Sequence, residues 1–160
     1  MQVFIMRHGE AALEAASDSI RPLTTRGHDE SVCMASWLQT QSCKIEKVLV
    51  SPYLRAQQTL AAVREGLALP DDVEVMPELT PGGDAAMVGC YLEALAKAGI
   101  GSVLVISHLP LVGYLVSELC PEEAPPMFAT SAIAGVSFDV TTERGVFDWQ
   151  VGPAQVMAKA

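Results

Sequence analysis

Three short apolar runs, residues 2–6, 47–50 and 102–106, constrain this chain more than anything else in it. Each is dominated by Val, Ile, Leu or Phe, is far too short to cross a membrane, and lacks the polar alternation of a half-exposed strand. Runs of this kind are strands buried on both faces, the habit of a parallel sheet. Segments with apolar residues at helical spacing lie between them. Strand alternating with helix predicts a three-layer α/β/α fold with a mostly parallel sheet. In such a sheet the carboxyl ends of the parallel strands share one rim, and ligands bind there.

The first run stops at Arg7-His8, and Gly9 then lets the backbone turn tightly or approach a bound group. Residues 11–22 read as a polar loop over that point, with Asp18 and Arg21 as solvated side chains. Thr24 is the candidate N-cap of a helix reaching about residue 41. That helix should bury Val32, Ala35 and Leu38, with Trp37 near the same face. Ser51-Pro52 follows the second run and signals a helix start, with Ser51 as cap and the helix extending to about Leu67. A short strand at 73–76 and a turn-rich loop at 77–84 come next.

Asp84 should cap a third helix reaching about Lys97, with Met87, Val88, Tyr91, Leu92 and Leu95 at helical spacing. After the run at 102–106 come Ser107-His108, then a helix opened by Leu109-Pro110 and lasting to about Leu119. A proline-rich loop at 121–126 precedes two strands, 133–140 and 146–151. The turn at 142–145 makes these a C-terminal antiparallel hairpin. No linker or repeat interrupts the chain, so residues 1–160 read as one domain.

Composition removes whole classes of partner. Ten Lys and Arg against nineteen Asp and Glu leave a formal net charge of −9. Such a surface repels nucleic acid and anionic membrane alike. The cysteines, Cys33, Cys43, Cys90 and Cys120, form no Cys-x-x-Cys pair and lie beside no histidine at zinc-ligand spacing. They read as ordinary buried thiols of a reducing compartment. No secretory signal is visible at the N-terminus, so the expected location is cytoplasmic.

The rim is where chemistry gathers. Parallel topology brings Arg7-His8, Arg55 and His108 to it from three strand ends. Arg55 falls in the first turn of its helix, where the dipole disfavours a cation, and a local rule broken in this way points to an anion. By that argument, removing its charge should leave stability unchanged or slightly improved. Two guanidinium groups and two imidazoles beside helix N-termini suit a phosphoryl dianion. Neighbouring cations make the imidazoles poor metal ligands, so neither metal nor cofactor is expected. The same cations keep His8 neutral and nucleophilic. Arg7, Arg55 and His108 would balance charge on the equatorial oxygens, with His108 as a charged donor. His28 has no such setting and reads as a surface residue.

Four segments, Met6-Arg7-His8-Gly9-Glu10, Leu23-Thr24-Thr25-Arg26-Gly27, Ser51 to Thr59 and Val105-Ile106-Ser107-His108, resemble the histidine phosphatase superfamily, related to phosphoglycerate mutase, in order and spacing. The resemblance implies a phosphoglycerate mutase-like fold and His8 as phosphorylated nucleophile, with Arg7, Arg55 and His108 completing the phosphate pocket. Length and the segment Ser107 to Val112 make the bacterial phosphohistidine phosphatases the nearest branch. That branch implies a substrate: phosphohistidine on a phosphotransfer domain of a sensor kinase, or on a related phosphocarrier protein, in a signalling relay.

Many members of the superfamily place a glutamate after the third strand to protonate an alcohol leaving group. Glu78 lies at a comparable point and Asp18 is a second carboxylate, though both read as solvated loop residues. A phosphoramidate needs less help, since its leaving nitrogen can arrive protonated, and whether Glu78, Asp18 or no acid serves is left open by the residues alone. The competing readings are a small-molecule phosphomonoesterase or mutase, and a non-catalytic module that binds phosphohistidine unchanged.

Overall fold

Strands β1 (Gln2–Arg7), β2 (Lys47–Val50), β3 (Val73–Val75), β4 (Ser102–Ser107), β5 (Ile133–Asp139) and β6 (Arg144–Val151) form one sheet, ordered β3-β2-β4-β1-β5-β6. The structure, a computed structural model, describes residues 1–158. The first four strands run parallel, and β5 and β6 are antiparallel additions beside β1. The sheet is therefore the mixed one that alternating strands and a terminal hairpin predict.

Five α-helices among the described residues complete the fold: α1 (Thr25–Gln39), α2 (Leu54–Gly66), α3 (Ala85–Lys97), α4 (Leu111–Leu119) and α5 (Pro153–Met157). Successive side chains of a strand point to opposite faces, and the core divides accordingly. Val3, Ile5, Val103 and Val105 meet Val88, Leu92, Leu111 and Leu115 of α3 and α4 on one face. Phe4, Met6, Leu104 and Ile106 meet Met34, Leu38, Ala56 and Val63 of α1 and α2 on the other. The central runs are apolar throughout because both faces are covered. Each fully buried aliphatic side chain there contributes about 1.5–3 kcal/mol.

Some local expectations need correction. Helix α1 ends at Gln39, and its buried stripe is Gly27, Glu30, Ser31, Met34, Ala35 and Leu38, which leaves Val32 half-buried at its margin. Met87 is 54% exposed, because α3 turns only Val88 and Leu92 fully into the core. Helix α5 was not expected; Gly152-Pro153 carries the proline-at-N1 signal that could have found it. All four thiols are free, but only Cys120 is buried, while Cys90 is exposed on α3. No helix among the described residues is long and apolar enough to cross a membrane.

Candidate active site

The rim assembles as parallel topology requires. β1 ends at Arg7 and β4 at Ser107, in register with one another, so His8 and His108 leave adjacent strand ends together. Their ring centroids are 5.0 Å apart. Gly9 is needed for close packing against protein: a Cβ there would meet the Gly27 carbonyl oxygen at 2.6 Å and Ser31 Oγ at 2.8 Å. Absence of that atom lets the turn after His8 sit directly on the first turn of α1.

His8 is 6% exposed, and both ring nitrogens are engaged. Nδ1 lies 2.7 Å from the Gly9 carbonyl oxygen and must be the protonated nitrogen, since a carbonyl only accepts. Nε2 accepts from Arg55 Nε at 3.3 Å, long for such a bond, so its lone pair is held only weakly. Burial pushes the His8 pKa down from 6.5 to about 4, with Arg55, Arg7 and Arg21 adding to the shift and the Gly9 carbonyl opposing it. His8 is neutral at physiological pH.

Arg55 is 4% exposed on the first turn of α2. Its Nη1 donates to the Asp18 carbonyl oxygen at 2.7 Å and its Nη2 to Asp18 Oδ2 at 3.2 Å. The Tyr53 ring lies 5.1 Å from the guanidinium carbon. Asp18 is therefore no idle loop residue: it offsets the dipole conflict and aims Arg55 at His8. Arg21 donates to Asp18 Oδ1 at 2.9 Å and to the Ala12 carbonyl oxygen at 2.7 Å, tying the loop over the site. The Arg21 and Arg55 contacts hold the Asp18 carboxyl below its ordinary range, so it is ionised at neutral pH and has no proton to give.

Thr59 joins the two halves of the site. Its Oγ1 accepts from the Gly9 N–H at 3.0 Å and donates to the Arg55 carbonyl oxygen at 2.7 Å. Arg7 donates from Nη1 to the Phe128 carbonyl oxygen at 2.9 Å, while its buried Nε has no protein partner. Burial, then Arg55, lowers the Arg7 pKa.

Two expectations for this region change. Ser51 does not cap α2, because Tyr53 is the N-cap; the Ser51 hydroxyl lies 2.7 Å from His108 Nε2 instead. His108 is also not the expected cation in these surroundings. Burial, followed by His8 and Arg55, pushes its pKa down to about 3.

Glu78 sits on a 3-10 turn, Pro77–Leu79, half-buried and with Oε2 enclosed and unpartnered, which is not the setting of a solvated loop residue. His28 is partly exposed on α1 and bonded to Asp29 and Glu65, away from the pocket. Helical spacing could have found Thr59, four residues beyond Arg55. No sequence signal marks the Phe128 carbonyl.

Two cations, two neutral imidazoles and an unpaired guanidinium N–H in one buried pocket can hold a tetrahedral dianion against a nucleophilic nitrogen. The family follows from comparison. Residues 3–80 match the model of the histidine phosphatase superfamily (branch 1), and the chain belongs to that superfamily. It is 64% identical to the phosphohistidine phosphatase SixA of Escherichia coli K12, over 100% of this chain and 99% of that protein. A SixA homolog of Haemophilus influenzae is 40% identical over 87% of this chain and 89% of its own. Among solved structures, that of the protein histidine phosphatase SixA complexed with tungstate superposes with a TM-score of 0.95 at 63% identity, covering 98% of this chain and 99% of that one.

Proposed function

We propose that this chain is a phosphohistidine phosphatase working through a phosphohistidine intermediate on His8. One observation carries the reading: His8 Nδ1 is tied to the Gly9 carbonyl, so the unprotonated nitrogen is Nε2, held only by a long contact from Arg55. Nε2 attacks phosphorus, forming a new N–P bond as the substrate's N–P bond breaks; the substrate's imidazolium, already protonated on its other ring nitrogen, leaves as neutral imidazole. Water then attacks the phosphorylated His8, which releases inorganic phosphate and restores the free imidazole. Arg7 and Arg55 neutralise the equatorial oxygens. A dianion beside His108 raises that residue's pKa, opposing the burial that holds it neutral.

Whole-length similarity to SixA supports the substrate class, a phosphorylated histidine on a protein. The connections around β3 support it too, since the segment from Met76 to Asp84 carries only a 3-10 turn and no inserted helix that would enclose a small substrate. On this reading the partner is a phosphotransfer domain or phosphocarrier protein of a signalling relay, met in the cytoplasm. The test is acid-labile phosphate trapping from a phosphohistidine protein, with the label mapped by peptide. Label on His8 supports the reading; label elsewhere, or none during turnover, defeats it.

Tungstate and vanadate should inhibit competitively, because either oxyanion occupies the volume of the phosphoryl group. Activity should survive EDTA, and loss of turnover that zinc or magnesium restores would defeat the mechanism.

The pH dependence follows from the lowered pKa of His8. A nucleophile that stays neutral down to about pH 4 should keep phosphoenzyme formation nearly flat from pH 7 to about pH 5. An ordinary histidine would lose most of its rate across that interval, and such a loss in single-turnover measurements would contradict the assignment. Stability has the matching sign. Because the folded pKa is lower than the unfolded value of 6.5, the neutral-histidine contribution is whole above about pH 6.5 and drains as pH falls toward 4.

A further inference from the structure

We propose that Ser51 sets the tautomer of His108: its hydroxyl donates to Nε2, so that Nδ1 carries the ring hydrogen and offers it to the phosphoryl group. Ser51 is on this account a positioning residue that touches no substrate atom. The proposal rests on the reading above, that the phosphoryl group lies between His8 and His108.

Both residues are sealed in protein, Ser51 at 0% and His108 at 1% exposure. Among the described residues, Ser51 Oγ has two neighbours with which it can hydrogen-bond. The Tyr53 backbone N–H donates to it at 3.2 Å, and His108 Nε2 lies 2.7 Å away. A backbone N–H cannot accept, so the single hydroxyl hydrogen has one acceptor within reach, and that is Nε2. The opposite arrangement, Nε2–H donating to Oγ, would bury the hydroxyl hydrogen with no acceptor and incur its full desolvation cost.

With Nε2 accepting, the hydrogen of the neutral ring resides on Nδ1. That nitrogen is buried and has no hydrogen-bond partner among the described residues, and its ring lies 5.0 Å from that of His8 between centroids. The edge-on Tyr53 ring, 5.1 Å away between centroids, holds the imidazole plane. A lone pair at Nδ1 would repel a phosphoryl oxygen, whereas an N–H there donates to it. One hydroxyl thus separates a repulsive ring from an attractive one.

Ser51 also accounts for the pairing of strand ends. It leaves β2 while His108 leaves β4, and these strands are parallel neighbours whose register runs to Val50 and Ile106. That register sets Ser51 beside Ser107, and its hydroxyl reaches the next residue along, His108. Gln57 Nε2 fixes the serine further by donating to its carbonyl oxygen at 2.8 Å.

The experiment is histidine 15N NMR on the full chain at neutral pH, with kinetics on a phosphohistidine protein. The native protein should show His108 with its hydrogen on Nδ1. Ser51→Ala should shift His108 toward the Nε2–H form and lower kcat about tenfold with KM little changed. Ser51→Thr, which keeps a hydroxyl, should retain the native tautomer and most of kcat. Hydrogen on Nε2 in the native protein overturns the proposal, as does a Ser51→Ala protein with native tautomer, whatever its rate. If Ser51→Ala fails to fold, the native spectrum and Ser51→Thr decide. A native protein with Nδ1–H on His108 but no turnover would defeat the phosphatase reading and leave the tautomer assignment supported.

Discussion

His8→Ala is expected to lower phosphohistidine hydrolysis by about 10⁵-fold or more and to leave no trappable phosphoenzyme. The fold should survive. His8 packs at the rim, outside both apolar clusters, and gives up one bond to its own neighbour's carbonyl and one long contact to Arg55. Circular dichroism should therefore report a native spectrum and a cooperative melt. Oxyanion binding should weaken far less than turnover, because Arg7 and Arg55 remain. A variant that retains substantial turnover would remove His8 from the chemistry, and one that collapses would make it structural.

Arg55→Gln should cost about 2–4 kcal/mol at the transition state, two to three powers of ten in rate, through loss of a charge-assisted contact to the dianion. Dipole reasoning by itself predicts unchanged or improved stability for this variant. The structure reverses that sign. Arg55 gives two hydrogen bonds to Asp18 and is nearly sealed from solvent, so its removal should destabilise the fold by about 1–3 kcal/mol. Asp18 retains Arg21 and reaches water, which limits the cost. Arg55→Lys should recover only part of the rate, since a point charge cannot reach both Asp18 and a phosphoryl oxygen as a guanidinium does. A thermal melt and steady-state hydrolysis check both halves. Near-normal turnover in a destabilised protein would reduce Arg55 to a strut for the loop at Asp18.

What could be read from residues alone was whatever depends on periodicity and on sheet geometry. Apolar runs at 2–6 and 102–106 are legible as buried strands because both of their faces are covered, and parallel topology then places Arg7, His8 and His108 on one rim. The partners of those residues were not legible. Asp18 opens a 3-10 turn, Asp18–Ile20, that Arg21 closes; the course of this segment is set by hydrogen bonds to Arg55 and to the Ala12 carbonyl, and no period encodes that path. Ser51 was readable as a cap because serine before proline usually is one. Tertiary contact with His108 claimed its hydroxyl instead. Met87 fits the helical spacing of α3 but not its buried face, since periodicity alone does not say how wide a stripe the sheet covers.

The order of the sheet bears on how the protein comes into being. β1 lies between β4 and β5, with Gln2 level with Ser102 on one side and Ser137 on the other. The strand that leads into His8 thus gains its neighbours from segments 95 residues or more further along the chain. While the ribosome is still adding the middle of the chain, β1 has neither neighbour, and Arg7 lacks the Phe128 carbonyl that holds it. Pairings of such long sequence separation are slow to form, because the loop between them must close before any contact repays it. Until β5 is available β1 is paired on one side only, and the turn that presents His8 lacks support on its other flank.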